Sequence, residues 1–188
     1  AELRALGVEV IESDRGGDAT WHGPGQLVAY PILDLTRFRR DVGWYMRALE
    51  ECAIRVLKRW GIYGFRIPKG TGVWTADHES VIDKRFKKIA ALGVRISRWC
   101  TLHGLSLNVA DCRWGFALIH PCGMPDVAVT SIEEELARRG DIPSPPLSRV
   151  KQAFLEEFKA VFNLREYADV SVESRPPAQT TCFFGEGV

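Results

Sequence analysis

Cys122 has the neighbours expected of an exposed nucleophile. It sits between Pro121, which fixes a backbone angle, and Gly123, which lets the chain turn closely. The apolar run Phe116-Ala117-Leu118-Ile119 leads into it, and a helix is expected within about ten residues after it. A thiol there can project into a cleft and feel the positive end of that helix, which favours thiolate. The competing reading is a buried structural cysteine, since free cysteines are among the most buried residues. Lys88 is the natural partner. It opens Lys88-Ile89-Ala90-Ala91-Leu92-Gly93-Val94, an otherwise apolar stretch in which a lone lysine is expensive to bury. A neighbouring ammonium lowers a thiol's pKa and raises the thiolate population at neutral pH. Taken alone, Lys88 also reads as the solvated end of Lys84-Arg85-Phe86-Lys87, and Lys87 is a second lysine able to reach the same site.

Arg15-Gly16-Gly17-Asp18-Ala19-Thr20-Trp21-His22-Gly23-Pro24-Gly25-Gln26 concentrates small and turn-forming residues beyond what packing asks for. Such a loop brings backbone N–H groups close to a ligand. Thr101-Leu102-His103-Gly104-Leu105-Ser106-Leu107-Asn108 is a second stretch of the same kind. His22 and His103 each precede a glycine, which either presents the imidazole over a cleft or leaves it as a hydrogen-bonded core histidine. His120 shares a face with Cys122 if the chain is extended, a possible Cys–His pair without an orienting third group. By their local sequence Asp18, Asp34, His78, Cys52 and Cys100 read as structural or surface residues.

These residues need a scaffold. Strands are expected at 7–12, 27–33, 72–74, 89–96, 105–109 and 116–119, from alternation and short apolar runs bounded by turn residues. The charged stretch 76–87 reads as a hairpin loop or insertion. From Val42 to Trp60, apolar Tyr45, Met46, Leu49, Cys52, Ala53, Val56 and Leu57 recur at helical spacing, with Glu50, Arg55 and Lys58 between them. Thr130 and Glu133 have capping-box spacing for a helix to about Arg139. Pro143, Pro145 and Pro146 form a linker into a second amphipathic helix over 147–162. This order is not a regular βαβ alternation, so the expected class is α+β, a two-layer α/β arrangement of helices on a mixed sheet. One domain is expected over 1–166 and a poorly ordered tail over 167–188.

The chain has 188 residues and a formal net charge of +1, which argues against broad nucleic-acid binding and leaves room for a local basic patch facing an acidic protein. Five cysteines without a Cys-x-x-Cys pair make a poor disulfide framework and a poor zinc site. A reducing compartment, no metal and no membrane span are therefore expected. No phosphate-binding glycine loop of the Gly-x-Gly-x-x-Gly or Walker type occurs.

Taken in order, Arg15 to Gln26, Gly72-Val73-Trp74, Lys88 to Val94, His103 to Asn108, Pro121-Cys122-Gly123 and Val129-Thr130-Ser131-Ile132 closely resemble the octanoyltransferase family. The resemblance runs from Gly7 to about Phe162 and implies the α/β domain shared with biotin and lipoate protein ligases. It implies transfer of octanoyl from octanoyl-acyl carrier protein to a lysine of lipoyl domains, those of 2-oxoacid dehydrogenases and of the glycine-cleavage H protein. Cys122 would carry the acyl group as a thioester, with Lys88 activating it. Arg15, Gly16, Gly17, Asp18, Ala19, Thr20, Trp21 and His22, then Ala91, Leu92 and Gly93, then His103, Gly104, Leu105 and Ser106 match stretches lining the substrate pocket. Ile89, Leu92 and Trp21 are the expected apolar lining for the octanoyl chain. No cofactor, no nucleic-acid or membrane partner and a monomer are expected, in the cytoplasm, or in a mitochondrion or plastid in a eukaryote. Two departures accompany it: the family's N-terminal part of the domain is missing before Ala1, and the loop before Lys88 is longer than the usual short turn. The alternatives are an ATP-dependent lipoate or biotin ligase, which needs no catalytic cysteine, and a non-catalytic binder of acyl-carrier or lipoyl domains.

Overall fold

A computed structural model of the chain describes residues 2–68, 70–76, 86–119, 127–140, 143–164 and 181–185. The longest helix, α2 (Val42–Arg59), starts where Asp41 accepts a hydrogen bond from Trp44 N at 2.9 Å, satisfying one of the helix's orphan donors. Tyr45, Leu49, Cys52, Ala53, Val56 and Leu57 are buried along one stripe. Gly61, at φ 69°, ends the helix in the left-handed conformation. A second long helix, α5 (Leu147–Val161), buries Val150, Ala153 and Phe154. Arg59 joins the two, its guanidinium donating to Glu156 at 2.6 Å and to Glu157.

These helices cover one face of a sheet whose strand order is β3 (Gln26–Ala29), β6 (Cys100–Asn108), β5 (Phe86–Ser97), β4 (Val73–Ala76). Neighbours on this path are antiparallel, and Ala76 faces Phe86, so 77–85 connects two paired strands. A short strand, β7 (Ala128–Val129), runs parallel to β5 and sets Val129 opposite Lys88. The core between sheet and helices holds Leu49, Val56, Ile89, Leu105, Leu107 and Phe154 among others. Helix α4 (Ile132–Ala137) closes one end, burying Ile132 and Leu136.

A second sheet places β1 (Glu9–Ser13) and β2 (Thr20–His22) on either side of β8 (Thr181–Gly185). β8 is parallel to β1 and antiparallel to β2. Beside it lies a smaller apolar cluster of Val8, Trp21, Cys112 and Phe116. Short helices α1 (Glu2–Ala5) and α3 (Arg113–Phe116) flank this region.

Four local expectations are corrected. The run 116–119 is not a strand: Asp111 accepts from Arg113 N at 3.1 Å, and 113–116 turn into α3. Four apolar residues fit either state, and here the helical turn puts Phe116 against Trp21. The cap of α4 is Ser131, accepting from Glu134 N at 3.2 Å, while Thr130 donates instead to Glu135 at 2.7 Å. Residues 181–185, expected in a poorly ordered tail, form the central strand of the smaller sheet. Glu50, expected on the charged face of its helix, is buried, where Arg47 (2.6 Å), Arg66 (3.0 Å) and Gly72 N (3.0 Å) all donate to it.

Candidate active site

Lys88 lies on β5 and is only 5% exposed. Trp74 on β4 pairs with it on one side, Val129 on β7 on the other, and its Nζ stands 5.1 Å from the Trp74 ring centroid. An ammonium over an indole face gains electrostatic attraction from the ring quadrupole, which partly offsets its desolvation. Below the side chain, Gly72 adopts φ +117°, and a Cβ there would come 2.8 Å from Lys88 Cε and 2.5 Å from Ala90 O. Only glycine combines that angle with that approach. The buried Glu50 carboxylate, by accepting from Gly72 N, fixes the strand entry that flanks Lys88.

Cys122 and His120 lie outside the described residues. The chain on both sides of their segment is moored at one place. Leu118 and Ile119 before it and Val129 after it pack on the Trp21 cluster, and Val129 is also the β7 partner of Lys88. Of the other cysteines, Cys52 and Cys112 are fully buried, and burial pushes both thiols up to about 12. They are thiols rather than thiolates at neutral pH. Cys100 is exposed at the β5–β6 turn.

Next to this region the two sheets leave a cleft, open to solvent, lined by Arg15, Thr20, His22, Tyr30, Ala91, Leu92, Gly93, Gly104, Leu105 and Ser106. The three stretches marked in the sequence thus meet in space. Gly93 makes the meeting possible, since a Cβ there would lie 2.8 Å from Gly16 O and 3.0 Å from Arg15 Cδ. Gly16 N donates to Val94 O at 3.0 Å, and the Arg15 guanidinium donates to the carbonyls of Gly16 and Asp18, curling the loop over β5.

Not every marked residue reaches the cleft. Gly16, Gly17, Asp18 and Ala19 shape the loop without lining it. Trp21, expected along the acyl chain, is fully buried in the smaller cluster, because its ring faces Trp114 and Phe116. Ile89, also expected there, is fully buried in the main core, while Leu92 does line the cleft. His103 stands at the rim with φ 58°, its Nε2 2.8 Å from Asp14 Oδ1, and Asp14 also pairs with Arg95. A non-glycine residue in that conformation inside a strand is strained, and such strain gathers at functional sites.

Tyr30 was not marked by the sequence. Its hydroxyl is 3.1 Å from His22 Nε2, and its ring meets the His103 ring edge to face at 5.5 Å. The signal available was alternation: Val28 and Tyr30 share the exposed face of the strand region, two residues apart. Behind His22 a polar line runs inward. His22 Nδ1 lies 3.1 Å from Gln26 Oε1, Gln26 Nε2 donates to Asn108 Oδ1 at 2.9 Å, and Asn108 Nδ2 donates to Thr130 O at 2.9 Å. Thr130 N in turn donates to Lys88 O at 3.0 Å. Burial pushes the His22 imidazole down to about 4, so it is neutral at physiological pH.

A model of the lipoyl protein ligase A/B catalytic domain matches residues 1–159. The chain belongs to that family. An octanoyltransferase of Chloroflexus aggregans is 46% identical over 166 residues, covering 88% of this chain and 70% of the relative. An octanoyltransferase of Myxococcus xanthus is 44% identical over 180 residues, 96% of this chain and 47% of the relative. The chain therefore spans about half the length of the latter. In three dimensions it resembles a lipoate-protein ligase A solved with ATP bound (TM-score 0.61, 15% identity, 88% of this chain and 64% of that one). It also resembles a bipartite lipoate protein ligase of Thermoplasma acidophilum (TM-score 0.59, 15% identity, 88% and 63%). At that identity the likeness establishes the shared α+β fold. Among the described residues no helix is long and apolar enough to cross a membrane, and no cluster of potential metal ligands occurs.

Proposed function

We propose that the chain is an octanoyltransferase of lipoate biosynthesis that works through a thioester on Cys122. The observation that carries the reading is the buried Lys88, held between Trp74 and β7, the strand that begins six residues after Cys122. An ammonium held at this place favours the thiolate of a neighbouring cysteine over the thiol, which is what a nucleophile needs at neutral pH. The identity with octanoyltransferases and the convergence of the three glycine-containing stretches on one cleft support it.

In this reading the Cys122 thiolate attacks the thioester carbonyl of octanoyl-acyl carrier protein. The C–S bond to the carrier breaks, and the carrier thiolate leaves and takes up a proton. The neutral amine of a lipoyl-domain lysine then attacks the new thioester, the C–N bond forms, the nitrogen gives up one proton to solvent, and the C–S bond breaks so that Cys122 leaves as thiolate. A thioester intermediate keeps the acyl group activated between the two half-reactions. Lys88 stabilises the thiolate in both. Arg15, Thr20, His22, Ala91, Leu92, Gly93, Gly104, Leu105 and Ser106 form the substrate cleft, with Leu92 and Leu105 its apolar contribution.

The test is intact-mass spectrometry after mixing the protein with octanoyl-acyl carrier protein. A gain of one octanoyl group, removed by hydroxylamine and absent in Cys122→Ala, is expected. Full transfer activity in Cys122→Ala would sink the covalent mechanism, and carrier-independent ATP turnover would favour an adenylating ligase.

A further inference from the structure

The polar line behind the cleft has a direction, and one of its ends sets it. A backbone carbonyl only accepts, so Asn108 must turn its NH2 toward Thr130 O, 2.9 Å away, and its oxygen toward Gln26. Gln26 must then donate through Nε2, 2.9 Å from Asn108 Oδ1, and face His22 with its oxygen. An oxygen acceptor 3.1 Å from Nδ1 requires the proton on Nδ1. In a neutral imidazole Nε2 is then a bare lone pair, and the Tyr30 hydroxyl, 3.1 Å away, must donate to it. Burial holds the imidazole neutral and raises the Tyr30 phenol above its ordinary value, so neither ionisation undoes the arrangement at neutral pH.

A phenol has one proton. With that proton committed inward, the Tyr30 oxygen can only accept from the cleft. We propose that Tyr30 is a substrate-binding residue whose oxygen accepts a hydrogen bond from an N–H group of the substrate, and that Gln26 and Asn108 are positioning residues that set this polarity by holding His22 as its Nδ1–H tautomer. The proposal rests on the reading of this cleft as the substrate cleft. Two N–H sources share the chemistry: the amides of the arm that carries the acyl group, and the amine of the acceptor lysine. Tyr30 is exposed, so its oxygen is accessible to either.

The experiment has two arms. Nitrogen-15 NMR of histidine-labelled protein reads the tautomer directly: His22 should show a protonated Nδ1 and a bare Nε2, the less populated tautomer of a free histidine, and Gln26→Met should lose that preference. Single-turnover mass spectrometry then separates loading of the enzyme by octanoyl-acyl carrier protein from discharge to a lipoyl domain. Tyr30→Phe should slow one half-reaction about fivefold to tenfold, the weight of a neutral hydrogen bond, and Gln26→Met should slow the same one. A loading defect identifies the arm amides, a discharge defect the acceptor amine. A protonated Nε2 in the native protein overturns the proposal, as does Tyr30→Phe with both half-reactions unchanged. If the native protein forms no acyl-enzyme, the transferase reading fails, while the NMR result still decides the polarity of the pair.

Discussion

The neutral, enclosed His22 should leave a measurable mark on stability. The unfolded chain titrates this imidazole near 6.5, the folded protein at about 4. As pH falls through 6.5 the unfolded state takes up the proton first, so stability declines, and the decline ends below about 4, where both states are protonated. Over the whole window the loss is about 3 kcal/mol, and about 2 kcal/mol of it is reached by pH 5. Other groups also titrate here, including Asp34 and Glu156, whose carboxyls hydrogen bonding holds below their ordinary values. They are present in a His22→Gln variant as well and cancel in the difference. Urea denaturation of both proteins at pH 7.5 and pH 5 therefore isolates the contribution of His22. The native protein should lose about 2 kcal/mol more than His22→Gln between the two pH values. Equal losses would refute the reasoning, because they would mean that the folded His22 accepts a proton as readily as the unfolded one.

Further outcomes are expected. Gly93→Ala should cost about 1–3 kcal/mol and weaken donor binding, since its methyl meets Gly16 O at 2.8 Å and lifts the Arg15 loop off β5; thermal melts and the KM of the carrier substrate check both. Glu50→Ala should cost about 2–4 kcal/mol, because it strips the partner from Gly72 N and from two arginines at once, and a denaturant midpoint measures it. Asp41→Ala removes the α2 cap and should cost about 1 kcal/mol without altering transfer kinetics. Lys88→Ala should move the pH dependence of Cys122 alkylation upward, because the thiolate loses its stabilising ammonium; an unmoved profile would separate Lys88 from the thiol.

What could be read from the sequence follows the range of the interactions involved. Helices α2 and α5 were legible to within a residue or so because each carries its own apolar stripe, a signal internal to the segment. The strand candidates at 89–96 and 105–109 found β5 and β6 but cut them short, since the omitted ends carry polar residues such as Lys87, Lys88, Thr101 and His103, which lose the apolar signal even where they are buried. β2 and β8 were invisible for a different reason. Thr20–His22 and Thr181–Gly185 are strands only because they pair across most of the chain's length. The glycine-rich motif suggested a loop around Thr20, and it is one on either side of that pairing. Glu50 shows the same limit in a helix: a single glutamate among apolar residues reads as solvent-facing unless Arg47, Arg66 and Gly72 can be seen converging on it.

The stretches that meet at the cleft were legible in the sequence, and the way they are held together was not. Two of the stretches that line the cleft stood out by composition and the third, Ala91 to Gly93, by the family resemblance, yet nothing local distinguishes Arg15, which lines it, from Asp18, which holds the loop through a carbonyl. The last residues of two of those stretches, Gln26 and Asn108, appeared only as letters completing a pattern. The fold gives them a physical task. β3 and β6 pair with Gln26 opposite Asn108, so two primary amides face each other in a buried layer where each must be satisfied. An ionised aspartate or glutamate at either position would have no proton to pass along, and a leucine would leave the next group without a partner. The line from the Thr130 carbonyl to the Tyr30 hydroxyl thus needs at positions 26 and 108 a side chain that both donates and accepts. That constraint ties the strand carrying Lys88 to the wall of the cleft, because Thr130 is bonded to the first and Tyr30 belongs to the second.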